Sequence, residues 1–331
     1  MEAVLAKAVG DCTCEAAKNT VFAAKLDARR RPKQRAFLPA RLSPRAESSF
    51  FMSRRSTRSE SVDFLSFLMK LALFVVLLRT LVASPFNIPS ESMQPRLLIG
   101  DYLLVSKWPY GYSRFSFWGG SYWRGIPLFK ERFLHHVPER GDVVVFAAPG
   151  NPKQDWIKRV IGVPGDRVQM RGGVLLLNGK TVPKQRIADF VIPVAPNMIA
   201  ASEAEGLPSP CFQADFEQKD ASGQRICRYP RFRETLPNGK SYEVLDLFQS
   251  ADDSTRVFVV PEGQLFVMGD NRDRSADSRF SLERGGVGMM PIDHLVGRAM
   301  VSFFSTDGST QWVRPWTIFT AARPNRIGEG F

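Results

Sequence analysis

From Phe64 to Ala83 the chain has twenty positions, of which only Ser66, Lys70, Arg79 and Thr80 are polar. Coiled as a helix, that stretch covers about 30 Å, the thickness of a bilayer's hydrocarbon. Thirteen Leu, Phe and Val residues, at roughly 0.3 to 0.6 kcal/mol each, outweigh two basic side chains that lie off-centre and can snorkel to the headgroups. The pattern therefore predicts one transmembrane anchor over 62–84. A buried core helix fits poorly, because the segment is apolar all round. A cleavable leader is the other competitor, since the charge-free core Leu71 to Leu78 is short; a cut after Ala83, however, would leave bulky Leu81 where a small residue is wanted.

Beyond residue 86 the apolar runs are short and bounded by Gly, Pro, Asn and Asp: Tyr102 to Val105, Val143 to Ala147, Val174 to Leu177, Val257 to Val260, Leu265 to Met268 and Arg298 to Phe304. Such spacing predicts strands, and no helical period of comparable length interrupts it. Asn178-Gly179 directly after Val174 to Leu177 predicts a two-residue hairpin of the mirror-image turn type. The fold class is thus mainly β, a β-rich catalytic domain over 85–183 and 256–320 behind one N-terminal transmembrane helix. Residues 184–255 are richer in polar residues and Pro, and read as an inserted lobe.

Charge sharpens this picture. Of a formal +12 in 331 residues, much lies between Lys25 and Arg58, where eleven basic residues face only Asp27 and Glu47. Arg54, Arg55 and Arg58 precede the anchor, and after Arg79 the next basic residue is Arg96, so the positive-inside bias puts the N-terminus in the cytoplasm and everything after Pro85 outside. The arm 1–61 has no sustained apolar period and reads as disordered, with Met52 a candidate natural start. No basic run combines with the aromatic spacing of a nucleic-acid motif, which excludes that partner class. The cysteines fall into two pairs, Cys12 with Cys14 and Cys211 with Cys227, and neither makes a metal pattern. A disulfide between Cys211 and Cys227 suits an oxidising compartment, and two unpaired thiols remain the alternative.

Three segments could carry chemistry. Just outside the anchor, Phe86-Asn-Ile-Pro-Ser90-Glu-Ser92-Met93-Gln-Pro95 holds two hydroxyls between prolines that stiffen the backbone. A hydroxyl attacks a carbonyl only if a base takes its proton. His135, His136 and His294 are the only histidines and none has a triad context; the first two read as part of a surface loop. A lysine can serve instead if burial disfavours its charge, at a cost of roughly 3 kcal/mol to move the pKa from about 10.4 to about 8. Lys158 is the candidate, bracketed by Trp156, Ile157, Val160 and Ile161 and followed by a Val-Pro-Gly-Asp reversal. The third segment, Asp270 to Arg279, packs three Asp, three Arg and two Ser directly after a predicted strand. Calcium is set aside there, since the loop glycine and closing Glu of an EF-hand are absent and the arginines cancel the attraction.

In this order, behind an anchor, Pro-Ser-x-Ser-Met-x-Pro, then Ile-Lys-Arg with Gly-x-Pro-Gly-Asp, then Gly-Asp-Asn-Arg-Asp-x-Ser-x-Asp-Ser-Arg, the chain resembles the bacterial type I signal peptidases over residues 62 to 316. The resemblance implies Ser92 as nucleophile, Lys158 as general base, and Ser90 with the backbone N–H of Ser92 as the oxyanion hole. It implies Ser275 as the hydroxyl that orients the lysine, Asp277 as its supporting carboxylate, and Asp270, Arg272, Arg279 and Arg159 as the ionic framework. Phe86, Ile88, Met93 and Ile157 are implied to line pockets that select small side chains, an Ala-x-Ala type of site. Phe303, Phe304, Trp312 and Trp316 would rest on the bilayer. Two departures are visible: Arg96 stands where the family usually has Thr, and Phe280 to Pro291 replaces a shorter, more aromatic link.

The expectation is a serine endopeptidase, monomeric and needing no metal or organic cofactor, that removes signal peptides from exported preproteins at a bacterial inner membrane. A self-cleaving Ser/Lys repressor is the enzymatic rival, but such proteins are soluble and carry a DNA-binding module. An inactive membrane-tethered module that binds exported segments is the rival of another class; Ser90, Ser92, Lys158, Ser275 and Asp277 together argue against it.

Overall fold

The computed structural model describes residues 57–116, 132–134, 136–311 and 313–331. The arm up to residue 56, with Cys12, Cys14 and Met52, lies outside the described residues, as do His135 and Trp312. Helix α1 (Thr57–Leu77) runs into one π turn, Leu78–Val82. Its apolar stretch, Glu60–Val82, has no share buried inside the protein. At 1.5 Å per residue it is about 35 Å long, enough to cross a bilayer.

The chain leaves this helix directly as a strand, β1 (Ala83–Asn87), followed by β2 (Asp101–Ser106), β3 (Val143–Ala147), β4 (Asp155–Gly162), β5 (Arg167–Arg171), β6 (Val174–Leu177) and β7 (Lys180–Thr181). Then come β8 (Lys184–Pro193), the short helix α2 (Pro196–Ala204), β9 (Glu217–Lys219), β10 (Arg225–Thr235), β11 (Ser241–Leu245), β12 (Phe258–Val259), β13 (Gln264–Met268), β14 (Met290–Pro291) and β15 (Leu295–Ser305). The largest sheet is antiparallel, in the order β1-β2-β15-β3-β4-β13-β14. Register shifts bend it, as bulges do, with the extra residues on β15 and, where it pairs with β13, on β4. A second sheet runs β12-β5-β6-β7 and a third β11-β10-β8, with β9 beside β10.

Five of the six expected strands appear at close to their expected bounds, whereas Val257 to Val260 shrinks to the two residues of β12. The hairpin turn at Asn178-Gly179 has both residues at positive φ, 54° and 77°, as a mirror-image turn demands. Strand β8 carries only the short apolar run Phe190-Val191-Ile192 at its end and β10 carries none; most of their residues stay part-exposed, and Arg231 and Arg233 on β10 pair across to Glu243 on β11. The region 184–255 nevertheless builds a core of its own around Ile192, Met198, Tyr229 and Leu247, joined by Leu98 from the chain after Ser92. Within it Cys211 and Cys227 form a disulfide. Tyr242 and Val244 of β11 enter the same cluster as Val168 and Leu175 of β5 and β6, so this region shares a core with the second sheet.

Candidate active site

Residues 88–100 form a closed loop. The Ile88 and Gly100 N–H groups donate across its neck to Asp101 O and Ile88 O, both at 2.9 Å. Inside, Leu97 N–H donates to Met93 O and Gln94 N–H to Glu91 O, at 2.9 and 3.0 Å. Met93, Leu97, Leu98 and Ile99 are buried, so the apolar half of the loop anchors it while Ser90 and Ser92 are held at a cleft. The Arg96 side chain does not face this cleft region. It pairs with Glu329 at 3.0 Å, and Arg326 donates to Arg96 O, which ties the loop to the last residues of the described chain.

Lys158 projects from β4, a strand between β3 and β13 whose last six residues are all buried. Its Nζ is 2.9 Å from Ser92 Oγ, and it also donates to Ile157 O at 3.0 Å. Burial disfavours the ammonium and lowers the lysine to about 8, against the pull of Asp277 and then Asp270, which favour the charged form. Ser90 Oγ is 3.4 Å from Ser92 Oγ. These hydroxyls and the amine border a cleft of about 510 Å³, whose apolar lining includes Phe86, Ile88, Val145 and Ile157. Met93 is absent from that lining: it is wholly buried in the core with Leu97 and Leu103, where its bulk supports the loop from behind.

The segment after β13 supplies the rest. Gly269 packs so tightly that a Cβ there would lie 2.2 Å from Ser275 Oγ and 2.4 Å from Ser92 O. Only glycine lets the segment after β13 approach the Ser92 loop this closely. Asn271 N–H donates to Ser92 O at 3.1 Å, a direct tether between them. Asp277 is wholly buried; its carboxylate accepts from Gly269 N–H at 3.1 Å and from the Arg279 guanidinium at 2.9 and 3.0 Å. Burial alone would push that carboxyl up, but Arg279 and the N–H donors hold it below the usual carboxylate range. Ser275 is buried, yet its Oγ has no hydrogen-bond partner among the described residues; it rests against Gly269, and the bond to Lys158 implied by the resemblance is not made in this arrangement.

Arg159 and Asp270 form a two-point ion pair at 2.7 and 2.6 Å, with Arg159 also donating to Gly141 O. Arg272, buried in the same region, pairs at two points with Glu234 of β10, which in turn accepts from the Tyr242 hydroxyl at 2.9 Å. Desolvation disfavours both guanidinium charges, but the facing carboxylates outweigh it and hold them above the usual arginine value. Glu234 and Tyr242 carry no mark in the sequence, because Glu234 lies in the polar end of β10 and Tyr242 in a short alternating strand, both without a motif. The segment Asp270 to Arg279 balances three Asp against three Arg on paper, and only once Arg159 takes Asp270 and Arg279 takes Asp277 does Arg272 need an anion from elsewhere.

None of the described histidines joins this group. His294 Nδ1 shares a hydrogen bond with Ala147 O and its ring lies against Phe115, while His136 is exposed. Among the described residues one acid cluster, Asp246, Asp253 and Asp273, has spacing compatible with a metal, but Lys184 already occupies Asp246, and Asp253 and Asp273 accept backbone N–H groups. Of the aromatic residues expected at a bilayer, Phe303 and Trp316 are exposed, Phe304 is part-buried, and Phe319 adds a further exposed ring.

A serine hydroxyl in contact with a buried, readily neutralised amine, set in an open cleft on a mainly β scaffold, is the equipment of a serine hydrolase. Residues 61–304 match the family model described as signal peptidase, peptidase S26. Signal peptidase I of Rickettsia typhi is 34% identical over 265 residues, covering 77% of this chain and 85% of that protein. The enzyme of the same name from Rickettsia conorii is 33% identical over 271 residues, covering 76% and 86%. A crystal structure of a signal peptidase I from Enterococcus faecalis V583 aligns with 49% of this chain and 95% of its own, at 23% identity and a TM-score of 0.24. The chain belongs to the S26 signal peptidase family and is a serine endopeptidase.

Proposed function

We propose that the chain is a membrane-anchored signal peptidase that cuts exported preproteins after a small residue, with Ser92 as nucleophile and Lys158 as general base. The observation that carries this reading is the 2.9 Å contact between Ser92 Oγ and an amine that burial lowers to about 8. Neutral Lys158 takes the Ser92 proton as Oγ adds to the carbonyl carbon of the scissile bond. The resulting oxyanion receives hydrogen bonds from the Ser90 hydroxyl and the Ser92 backbone N–H. Lys158, now an ammonium, returns the proton to the leaving amine, so the peptide bond breaks and an ester to Ser92 remains. Water, deprotonated by the same lysine, hydrolyses that ester and restores the hydroxyl.

Specificity follows from the cleft. Phe86, Ile88, Val145 and Ile157 offer apolar surface without a polar partner, which suits small apolar side chains such as alanine at the cleavage site. Segment 85–87 lies in an extended strand immediately after the apolar helix, so the cleft sits next to the point where a substrate's own apolar leader would leave the membrane. The basic residues before the helix support a cytoplasmic N-terminus, and with it a catalytic domain on the outer face of the bacterial inner membrane. Ser275 and Asp277 act behind Lys158, Asp277 through its field and Ser275 by closing a hydrogen bond to Nζ when substrate orders the segment.

The test uses the full chain in detergent micelles with a preprotein as substrate. Cleavage after an Ala-x-Ala site should be lost in both Ser92→Ala and Lys158→Ala. Retained cleavage in either variant, at the same bond, overturns the assignment.

A further inference from the structure

Glu91 stands between Ser90 and Ser92, and its carboxyl side chain is 10% exposed. An acid buried beside a nucleophile needs a partner, and Arg274 faces it, with Nε 3.6 Å from Glu91 Oε2. The same guanidinium donates to Glu205, which caps the C-terminal end of α2, and lies 4.4 Å over the Phe212 ring. Phe212 adjoins the Cys211–Cys227 disulfide and stacks on Phe248. A second contact runs alongside: Asn197 in the first turn of α2 donates to Ile99 O at 2.6 Å, on the far side of the loop that carries Ser92. Both contacts connect residues 184–255 to that one loop.

We infer that Arg274 is a positioning residue through which the 184–255 region holds the Ser90–Ser92 turn in its reactive geometry, and that this region is thereby a working part of the catalytic apparatus. The inference rests on Ser92 as the nucleophile. Arg274 cancels the Glu91 charge where water is scarce and is itself clamped by Glu205 and Phe212. Without it Glu91 must turn outward to find solvent, and Ser90 and Ser92, its covalent neighbours, turn with it. Burial already raises the Glu91 carboxyl, Glu205 adds to the rise and Arg274 opposes both; the Tyr229 hydroxyl is the other titratable group in its field.

The experiment compares the full chain with Arg274→Gln, Glu91→Gln and the double variant, in micelles, by kcat and KM across pH. Arg274→Gln is expected to lower kcat about tenfold with KM within about twofold, since misalignment acts on the chemical step. Its kcat relative to the parent should fall further as pH rises, because the uncompensated Glu91 charge forms at higher pH. In the double variant no charge can form, so most of the kcat should return and the ratio should be flat with pH. Phe212→Leu, remote from substrate and leaving Arg274 present, should show a milder loss with the same pH trend. A loss confined to KM would make Arg274 a substrate contact, and a pH-independent loss that Glu91→Gln does not relieve would make it a structural strut; either result overturns the inference, as does parental kcat in Arg274→Gln. Ser92→Ala, run in parallel, separates the two claims: activity surviving there sinks the nucleophile, whereas activity lost there but indifferent to Arg274 sinks only the positioning role.

Discussion

The most direct test of the site is the titration of Lys158. An amine lowered to about 8 is neutral in about one molecule in ten at pH 7, against about one in three thousand for a lysine at its ordinary 10.5. Burial therefore raises the reactive fraction about 300-fold, at a cost to folding of about 3 kcal/mol. The sign of that cost is fixed. Because the folded-state value is lowered, the unfolded chain binds more protons between pH 8 and pH 10.5; the penalty is fully present below about 8 and fades as pH rises to the unfolded value. Asp277 is the largest opposing influence, so Asp277→Asn should lower the lysine further, and the Arg279 charge it leaves uncancelled acts in the same direction. The assay is the pH dependence of kcat/KM on a quenched fluorescent preprotein peptide. Its acid limb should fall near 8 in the parent and about half a unit or more lower in Asp277→Asn, even as the loss of a buried ion pair reduces the folded yield. A parent limb near 10.5 would refute the burial argument, and a limb that stays put or rises in Asp277→Asn would refute the assigned field.

Three further outcomes are expected. Glu234→Ala strands Arg272 as a buried cation, since the pair is at most 3% exposed; it should cost about 3 to 5 kcal/mol in denaturant unfolding, and a change below about 1 kcal/mol would show that water or another acid takes its place. Gly269→Ala forces a methyl toward Ser275 Oγ and Ser92 O, so kcat should drop about a hundredfold while thermal stability falls by only about 1 to 3 kcal/mol; parental kcat would mean that the two segments do not need this approach. Ile157→Ala enlarges the apolar lining of the cleft and should let a preprotein with Val or Leu at a cleavage-site pocket be cut at rates nearer those of Ala, read by mass spectrometry of the products; an unchanged preference would move the selecting surface elsewhere.

How much of this was open to a reader of the chain depends on where each residue finds its partner. The long apolar helix, the strands Val143 to Ala147 and Val174 to Leu177, and the hairpin at Asn178-Gly179 are decided within a few residues, by period and turn chemistry, and they appear as expected. Ser92 and Lys158 are 66 residues apart, and nothing local joins them; a family motif was needed to pair them before the 2.9 Å contact could be seen. Met93 marks the limit of such transfer, because its neighbours Ser90 and Ser92 reach the cleft while its own side chain, on the other side of the loop, fills the core. Glu234, Tyr242 and Glu205 lie furthest beyond reach, since a carboxylate in a polar strand or at a helix end looks like ordinary solvated surface until Arg272 or Arg274 is folded against it. Residues 184–255, with the weakest apolar pattern in the described chain, thus supply the countercharges for two arginines of the densest motif. An electrostatic site of this kind hides half of its members by construction: each buried cation advertises a missing anion, but only the fold says which strand brings it.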